Sequence, residues 1–360
     1  MTRTPKMNRG VLRQRAEDLR KGIARWDGEN AEALARARML RAWTLWLLGE
    51  QEESWRELDR LEEMEREAPG DPPRIWDGSP LAGRSLLLGM RTGGLGDLMQ
   101  FARFLVPIEP REAVTVFTKP AVARLLSSSL PSGFTWKTEV SDLPPTDLRL
   151  DWYRLPLALR WTYEEVAASV PYLRPEADLG EAWRARLAAY PRPWIGVFWS
   201  TRGPRERNDS RSAPLVRFAP LINRPGATFF SLEKEDRPGE IRAAGLEKRL
   251  VSFGDAIGNL DDTAALVSHL DLVVTIDTSI AHLAGALGVP VWVLLMERAF
   301  EGWLLGKDSE STFWYPTARL FRQSVQNDWD ELVQRVSVRL DEWLRTGEWR
   351  IVKNSLGSGA

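Results

Sequence analysis

Short apolar runs of strand length recur along this chain, each followed by a stretch with helical spacing, and that alternation restricts its fold more than any other feature. One series begins near Arg84 with SLLLGM, a glycine loop leading into QFARFLVP, then VTVFT and AVARLL. A second runs through PWIGVFWS, TFFSL, RLVSF, DLVVTID and VWVLL, with helical stretches between the strands, notably around 261–270 and 280–287. Strands separated by helices pair in parallel, because each crossover returns the chain to the same end of the sheet. The expectation is an α/β chain with two Rossmann-like, doubly wound domains. Its 360 residues accommodate both, since single cores stop growing at about 250–300 residues.

The flanks read differently. Residues 10–68 have helical periodicity: Ala35, Met39, Ala42 and Trp46 share a face, Gly49 interrupts it, and a second helix carries Ser54, Leu58 and Leu61. Small residues at Ala42 and Ser54 let the two helices approach closely, so the unit resembles one tetratricopeptide (TPR) repeat. One repeat cannot bury its own outer face, and this one is expected to pack on the α/β part of the chain. The divisions read from the sequence are a helical TPR-like segment over 1–69, a Pro/Gly-rich linker over 70–83, α/β domains over 84–176 and 177–326, an amphipathic helix over 327–345 that packs back on the first domain, and a tail over 346–360.

Charge and composition narrow the partners. Lys+Arg (49) nearly balance Asp+Glu (50), so no global field draws nucleic acid or anionic lipid, and an anionic ligand must be held by a local set of donors. With no cysteine and only His269 and His282, thiol nucleophiles, disulfides and zinc–thiolate sites are excluded, and no metal is expected. The longest apolar runs, such as 291–296, are strand-length, and the start MTRTPKMNRG lacks the apolar stretch of a signal peptide. A cytoplasmic location without a membrane span is expected.

Three loops at strand ends carry the candidate chemistry. Arg91-Thr92-Gly93-Gly94-Leu95-Gly96-Asp97 joins a strand to a helix; Gly94 and Gly96 allow a ligand close to the backbone, but the loop is neither a phosphate-binding GK[ST] loop nor GxGxxG. On the residues alone Asp97 reads as a carboxylate capping its own helix, with a general base facing an interdomain cleft as the alternative. Asp277, Thr278, Ser279 and His282 follow DLVVTI and open a helix, a placement suited to a diphosphate; the alternative is a well-capped helix with His282 against the sheet. The polar loop from Trp199 to Ser212 contains Ser200 and four arginines, Arg202, Arg205, Arg207 and Arg211, that can offer forked donors to phosphate, and Lys234 ends the next strand on the same rim.

In motif order the chain resembles bacterial TPR-linked glycosyltransferases whose catalytic part is similar to glycosyltransferase family 9, the ADP-heptosyltransferases. The motifs are WDGSPLAG (76–83), GLGDLMQFARFL (94–105), IGVFWS with NDSRS (195–200 and 208–212), FSLEK (230–234), DTAALVSHLDLVVTIDTSIAHLAGALGVPVWVLL (262–295) and WYPTARLFRQ (314–323). The resemblance implies a GT-B fold, an acceptor site in the domain over 84–176 and a nucleotide-sugar site in the domain over 177–326. It places the catalytic base on Asp97, with Gly94, Gly96 and Arg91 in the acceptor-side loop. Donor binding falls on Asp277, Thr278, Ser279 and His282, supported by Lys234, Ser200 and Arg211. Relatives commonly have glycine where Ser279 stands and a glutamate–glutamine pair upstream of Gly94, where this chain has Arg91-Thr92-Gly93.

The implied reaction is metal-independent, inverting transfer from a nucleoside-diphosphate sugar to a hydroxyl of a protein or saccharide. The donor is a co-substrate, and no cofactor is required. The helical N-terminus offers a surface for a protein acceptor or scaffold. Two other readings fit the same residues: a sugar-nucleotide or glycan binding protein without turnover, and a GT-B sugar-nucleotide epimerase.

Overall fold

The computed structural model describes residues 9–26, 31–66, 73–89, 93–201, 211–234, 239–297, 303 and 310–347. Three helices, α1 (Arg9–Ala24), α2 (Ala31–Leu48) and α3 (Gln51–Arg66), lead into two all-parallel sheets. The first sheet contains β1 (Arg74–Ile75), β2 (Leu86–Gly89), β3 (Val114–Phe117), β4 (Thr135–Lys137) and β5 (Leu148–Asp151) in the order β1-β5-β2-β3-β4. The second contains β6 (Trp194–Phe198), β7 (Thr228–Ser231), β8 (Leu250–Ser252), β9 (Leu272–Ile276), β10 (Val291–Leu295) and β11 (Ala318–Arg322) in the order β11-β10-β9-β6-β7-β8. Two Rossmann-like lobes of this kind are the GT-B arrangement expected from the sequence.

Helices cover the sheets. They include α4 (Leu95–Phe101) and α5 (Pro120–Ser129) in the first lobe, and α6 (Ala177–Leu187), α7 (Leu260–Val267), α8 (Ser279–Ala286) and α9 (Trp329–Thr346) with the second. Every residue of β9 and β10 is buried, which explains their unbroken apolar sequences: a parallel strand with helices on both faces has no solvent side. The register sets Phe198 of β6 beside Thr275 of β9, so the loops that leave β6, β7 and β9 emerge at one end of the sheet.

Two stretches at the domain edges join the sheets and cores. The stretch taken as a linker contributes β1 to the first sheet, with Arg74 paired to Leu148 and Arg149 donating to the Pro73 carbonyl at 3.1 Å. Pro73 fixes its own φ just ahead of β1, and extended backbone at a sheet edge pairs. The terminal helix α9 packs on the second lobe. Its buried stripe, Trp329, Leu332, Val333, Val336 and Leu340, shares a core with Leu215, Phe218 and Leu221 of the second lobe.

The N-terminal segment has three helices where the sequence indicated a hairpin. Ser54 donates to the Ala42 carbonyl at 2.8 Å, the close approach anticipated from two small residues, and Gly49 turns the chain at φ 77°. Residues 41–48 of α2 are all buried, because its neighbours include both lobes as well as α1 and α3. Trp43 lies against Phe101 of the first lobe and Trp314 of the second, and Trp46 donates to the Trp161 carbonyl at 2.5 Å. Among the described residues no helix is long and apolar enough to cross a membrane.

Candidate active site

The starts of α4 and α8 meet where the lobes touch. A Cβ built on Gly96 would stand 2.7 Å from Cδ2 of His282 and 3.3 Å from Cα of Ser279, so only glycine permits this approach of the two helices. The glycine loop of the first lobe and the Asp277–His282 turn of the second therefore form one locus.

On the first-lobe side, Oδ2 of Asp97 accepts the Gly94 backbone N–H at 2.6 Å, fixing the first turn of α4. Burial first, and then the charge of the nearby Asp97 carboxylate, keeps Tyr153 protonated far above the ordinary phenol range. A carboxylate has about four acceptor positions, so the Gly94 N–H orients Asp97 without saturating it. Capping and chemistry, set against each other in the sequence, are compatible at this residue. Gly93 sits at φ 129° and its carbonyl accepts from Lys119 at 2.6 Å. Arg91 lies outside the described residues.

On the second-lobe side, Thr278 occupies the N-cap position of α8 in extended conformation and its side chain does not cap the helix. Its hydroxyl is 3.2 Å from that of Thr275, and Ser279 begins the helix half-buried. Oδ1 of Asp277 accepts from the Trp303 indole at 3.0 Å, and that indole stacks on His282 with centroids 5.1 Å apart and planes 7° from parallel. Nδ1 of His282 is 3.0 Å from the Tyr315 hydroxyl. Burial lowers the His282 pKa below its usual value; the nearby carboxylates of Asp277 and Asp97 oppose that shift, and Arg103 reinforces it. Asp97 and Asp277 thus act on one imidazole from opposite lobes.

The remaining candidates occupy the same end of the second sheet with different partners. Ser200, fully buried after β6, donates to Oε1 of Glu233 at 2.6 Å, a tie between the ends of β6 and β7. Lys234 is exposed just beyond β7, and Arg211 is half-buried where the polar loop returns. Arg202, Arg205 and Arg207 lie outside the described residues. His269, at the opposite end of β9 from this locus, is 2.8 Å from the Gly180 carbonyl and serves the contact between α6 and the chain that follows α7.

Sequence reasoning missed Tyr153, Arg103, Tyr315 and Arg322. Arg322, at the end of β11, donates to the Met296 carbonyl at 3.2 Å and lies close enough to Asp277 to feel its charge. Arg103 and Tyr315 stand inside two of the sequence motifs, QFARFL and WYPTARLFRQ; a charged residue among apolar ones at helical spacing was the available signal. Among the described residues no group of three or more His, Asp or Glu side chains forms a cation site.

Two parallel lobes that bring two strand-to-helix turns face to face have the GT-B arrangement. Residues 256–295, which span α7, β9, α8 and β10, match the profile of glycosyltransferase family 9 (heptosyltransferase). Over that segment the second lobe is similar to glycosyltransferase family 9. Over 344 residues it is 28% identical to Protein FlbA of Caulobacter vibrioides, an alignment covering 87% of this chain and 56% of that protein. The chain thus spans little more than half the length of the curated relative it matches. Among solved structures it is similar to the family 9 glycosyl transferase of Veillonella parvula DSM 2008, at 10% identity and TM-score 0.48, covering 76% of this chain and 100% of that one. It is also similar to the E. coli ADP-heptose LPS heptosyltransferase II, at 13% identity and TM-score 0.48, covering 73% and 99%.

Proposed function

We propose that the chain transfers a sugar from a nucleoside-diphosphate sugar to a hydroxyl acceptor, with the donor on the second lobe, the acceptor on the first, and Asp97 as general base. The observation that carries this reading is the meeting of the Asp97 turn and the Asp277–Ser279 turn at one locus, with His282 between the two carboxylates.

In the reaction, Asp97 takes the proton of the acceptor hydroxyl while the oxygen attacks the anomeric carbon. The bond from that carbon to the diphosphate oxygen breaks, and the nucleoside diphosphate leaves with the electron pair. One displacement inverts the anomeric centre. The growing negative charge is met by the backbone N–H groups at the start of α8, by Lys234 and Arg211, and by Arg322 beside Asp277. These donors need no metal to complete them, so transfer is expected to persist in EDTA.

A thermal-shift panel of nucleoside diphosphates and their sugar conjugates identifies the donor, because a ligand bound only by the folded chain raises its melting point. With the donor known, Asp97→Asn is expected to lower transfer by about a hundred- to ten-thousand-fold, the usual contribution of a general base, with nucleotide affinity unchanged. Full transfer by that variant would refute the assignment. Release of nucleotide and an epimerised sugar with no acceptor present would instead support the epimerase reading.

A further inference from the structure

Trp303 stands 26 residues beyond Asp277, is buried, and reaches the candidate site in two ways. Its indole N–H donates to Oδ1 of Asp277 at 3.0 Å, and its ring lies over the imidazole of His282. A buried indole seeks an acceptor, but in this chain a backbone carbonyl is the usual one: Trp46 donates to Trp161, Trp76 to Ser79 and Trp194 to Tyr190. Satisfying Trp303 therefore does not by itself call for a carboxylate. Trp183 does donate to one, Asp262, yet Asp262 also accepts the backbone N–H groups of Gly258 and Asn259 at 3.0 and 3.2 Å and would keep its orientation without the indole. Asp277 differs in this respect. Among the described residues its one hydrogen-bond donor is Trp303, so the direction of its carboxylate depends on where that indole sits.

The place of the indole depends in turn on α8. His282 and Gly285, three residues apart, share a face of that helix. A Cβ on Gly285 would stand 2.4 Å from the Tyr315 ring, so that ring lies directly against the helix, with its hydroxyl 3.0 Å from Nδ1 of His282. Trp303 stacks on His282 with planes 7° from parallel and meets Tyr315 edge-on, centroids 6.2 Å apart. Two rings seated on α8 thus fix the plane of the indole, and its N–H reaches back to the turn from which the same helix starts.

We propose that Trp303 is a positioning residue for Asp277: His282 and Tyr315 seat its ring, its N–H holds Oδ1, and Oδ2 is left with one direction in which to accept from the donor. The proposal rests on the transferase reading, in which Asp277 binds that donor. His282 then serves donor binding as the seat of the indole. An aspartate side chain turns about two bonds, and a hydrogen bond to one oxygen removes that freedom before the ligand arrives.

The test uses the full chain labelled with 15N-tryptophan, in which each of the 17 indoles can give one N–H signal. Trp303→Phe keeps a ring on His282 and removes the N–H, so the signal it lacks is that of Trp303. Asp277→Ala is expected to move that signal upfield, as loss of a charged acceptor does, and to leave those of Trp76 and Trp194 in place. A folded Asp277→Ala chain in which no indole signal moves overturns the proposal, even where Trp303→Phe fails to fold. Titration with ADP, UDP and GDP and their sugar conjugates then measures the consequence for binding. Trp303→Phe is expected to weaken the sugar conjugate that binds by about ten- to a hundredfold, the usual share of a hydrogen bond to a charged group. In an Asp277→Ala chain the same substitution is expected to have no further effect, because a residue that acts through Asp277 has nothing left to act on. Equal losses in both backgrounds would make the indole structural packing and overturn the positioning role. If no nucleotide binds while the indole signal follows Asp277, the transferase reading fails and the hold of Trp303 on Asp277 stands.

Discussion

A methyl group added at Gly96 has nowhere to go. It would stand 2.7 Å from a ring carbon of His282, and that ring is clamped between the Trp303 stack and the Tyr315 hydroxyl. Alanine would normally favour a helix by about 0.8–1.0 kcal/mol over glycine, but overpacking a closed contact costs about 1–3 kcal/mol, so the second effect wins. Gly96→Ala is expected to lower stability in urea titrations, whereas Gly22→Ala in α1, with no atom within 4 Å of the added Cβ, is expected to leave it unchanged or raise it. His282 itself makes a pH-dependent contribution. Because its pKa is lowered in the folded chain, the unfolded chain binds a proton that the folded one refuses once the pH falls below about 6.5. Stability is therefore expected to be full above that pH and to decline toward pH 5.5, with Asp277 and Asp97 limiting the loss and Arg103 adding to it. The carboxylates with lowered pKa values, such as Glu331 and Asp77, titrate below this window. Denaturation midpoints between pH 7.5 and 5.5 check the expectation, and His282→Gln should flatten the slope.

Among the elements, α3 depends on one buried carboxylate. Glu57 accepts from Arg38 at 2.9 Å, Arg41 at 2.5 Å and Arg60 at 2.9 Å, and Arg41 is itself buried. Glu57→Gln keeps the shape and removes the anion, leaving Arg41 with only the partly exposed Glu53; breaking a buried pair in this way costs about 3–5 kcal/mol. The loss is expected in equilibrium unfolding, with Glu52→Gln on the exposed face of the same helix as the neutral control. This element also shows what the sequence could reveal. Spacing marked the helices, and Ala42, Gly49 and Ser54 marked the turn between them, because those are local properties. The ion-pair cluster was hidden, since Arg38 and Arg41 look like solvated charges until α3 is laid against α2. In the sheets, VWVLL and DLVVTI announced themselves by unbroken apolar runs, whereas β4, β5 and β11 are short, half-buried or mixed in polarity, and only pairing makes them strands. At the site, Asp97 and the 277–282 turn were visible as polar clusters at strand ends. Tyr153 and Arg103 act across distances in sequence that no periodicity encodes.

At the scale of the whole molecule, one continuous core runs from Ala42 and Trp46 through Phe101 and Phe104 to Leu283 and Trp314, so the N-terminal helices, the first lobe and the near face of the second sheet share an interior. Lobes joined by a small polar interface would be expected to move and unfold independently. Here Trp43 touches both lobes, Arg103 bonds to both, and the backbone N–H groups of Tyr172 and Leu173 in the connection donate to the Ala286 carbonyl at 3.0 and 3.2 Å. Removing residues 1–66 would expose Phe101, Trp161, Phe313 and Trp314 together, an apolar patch at the junction that carries the candidate site. The full chain is therefore expected to melt in a single calorimetric transition. The chain 73–360 should be insoluble or lack a cooperative transition, and Trp43→Ala should lower the one melting point by the equivalent of about 3–5 kcal/mol, the usual result of truncating a buried tryptophan. Two separate transitions in the full chain, or a 73–360 chain that melts as sharply as the second of them, would make the helices an appendage. A single transition lost on truncation would make them part of what sets the distance between Asp97 and Asp277.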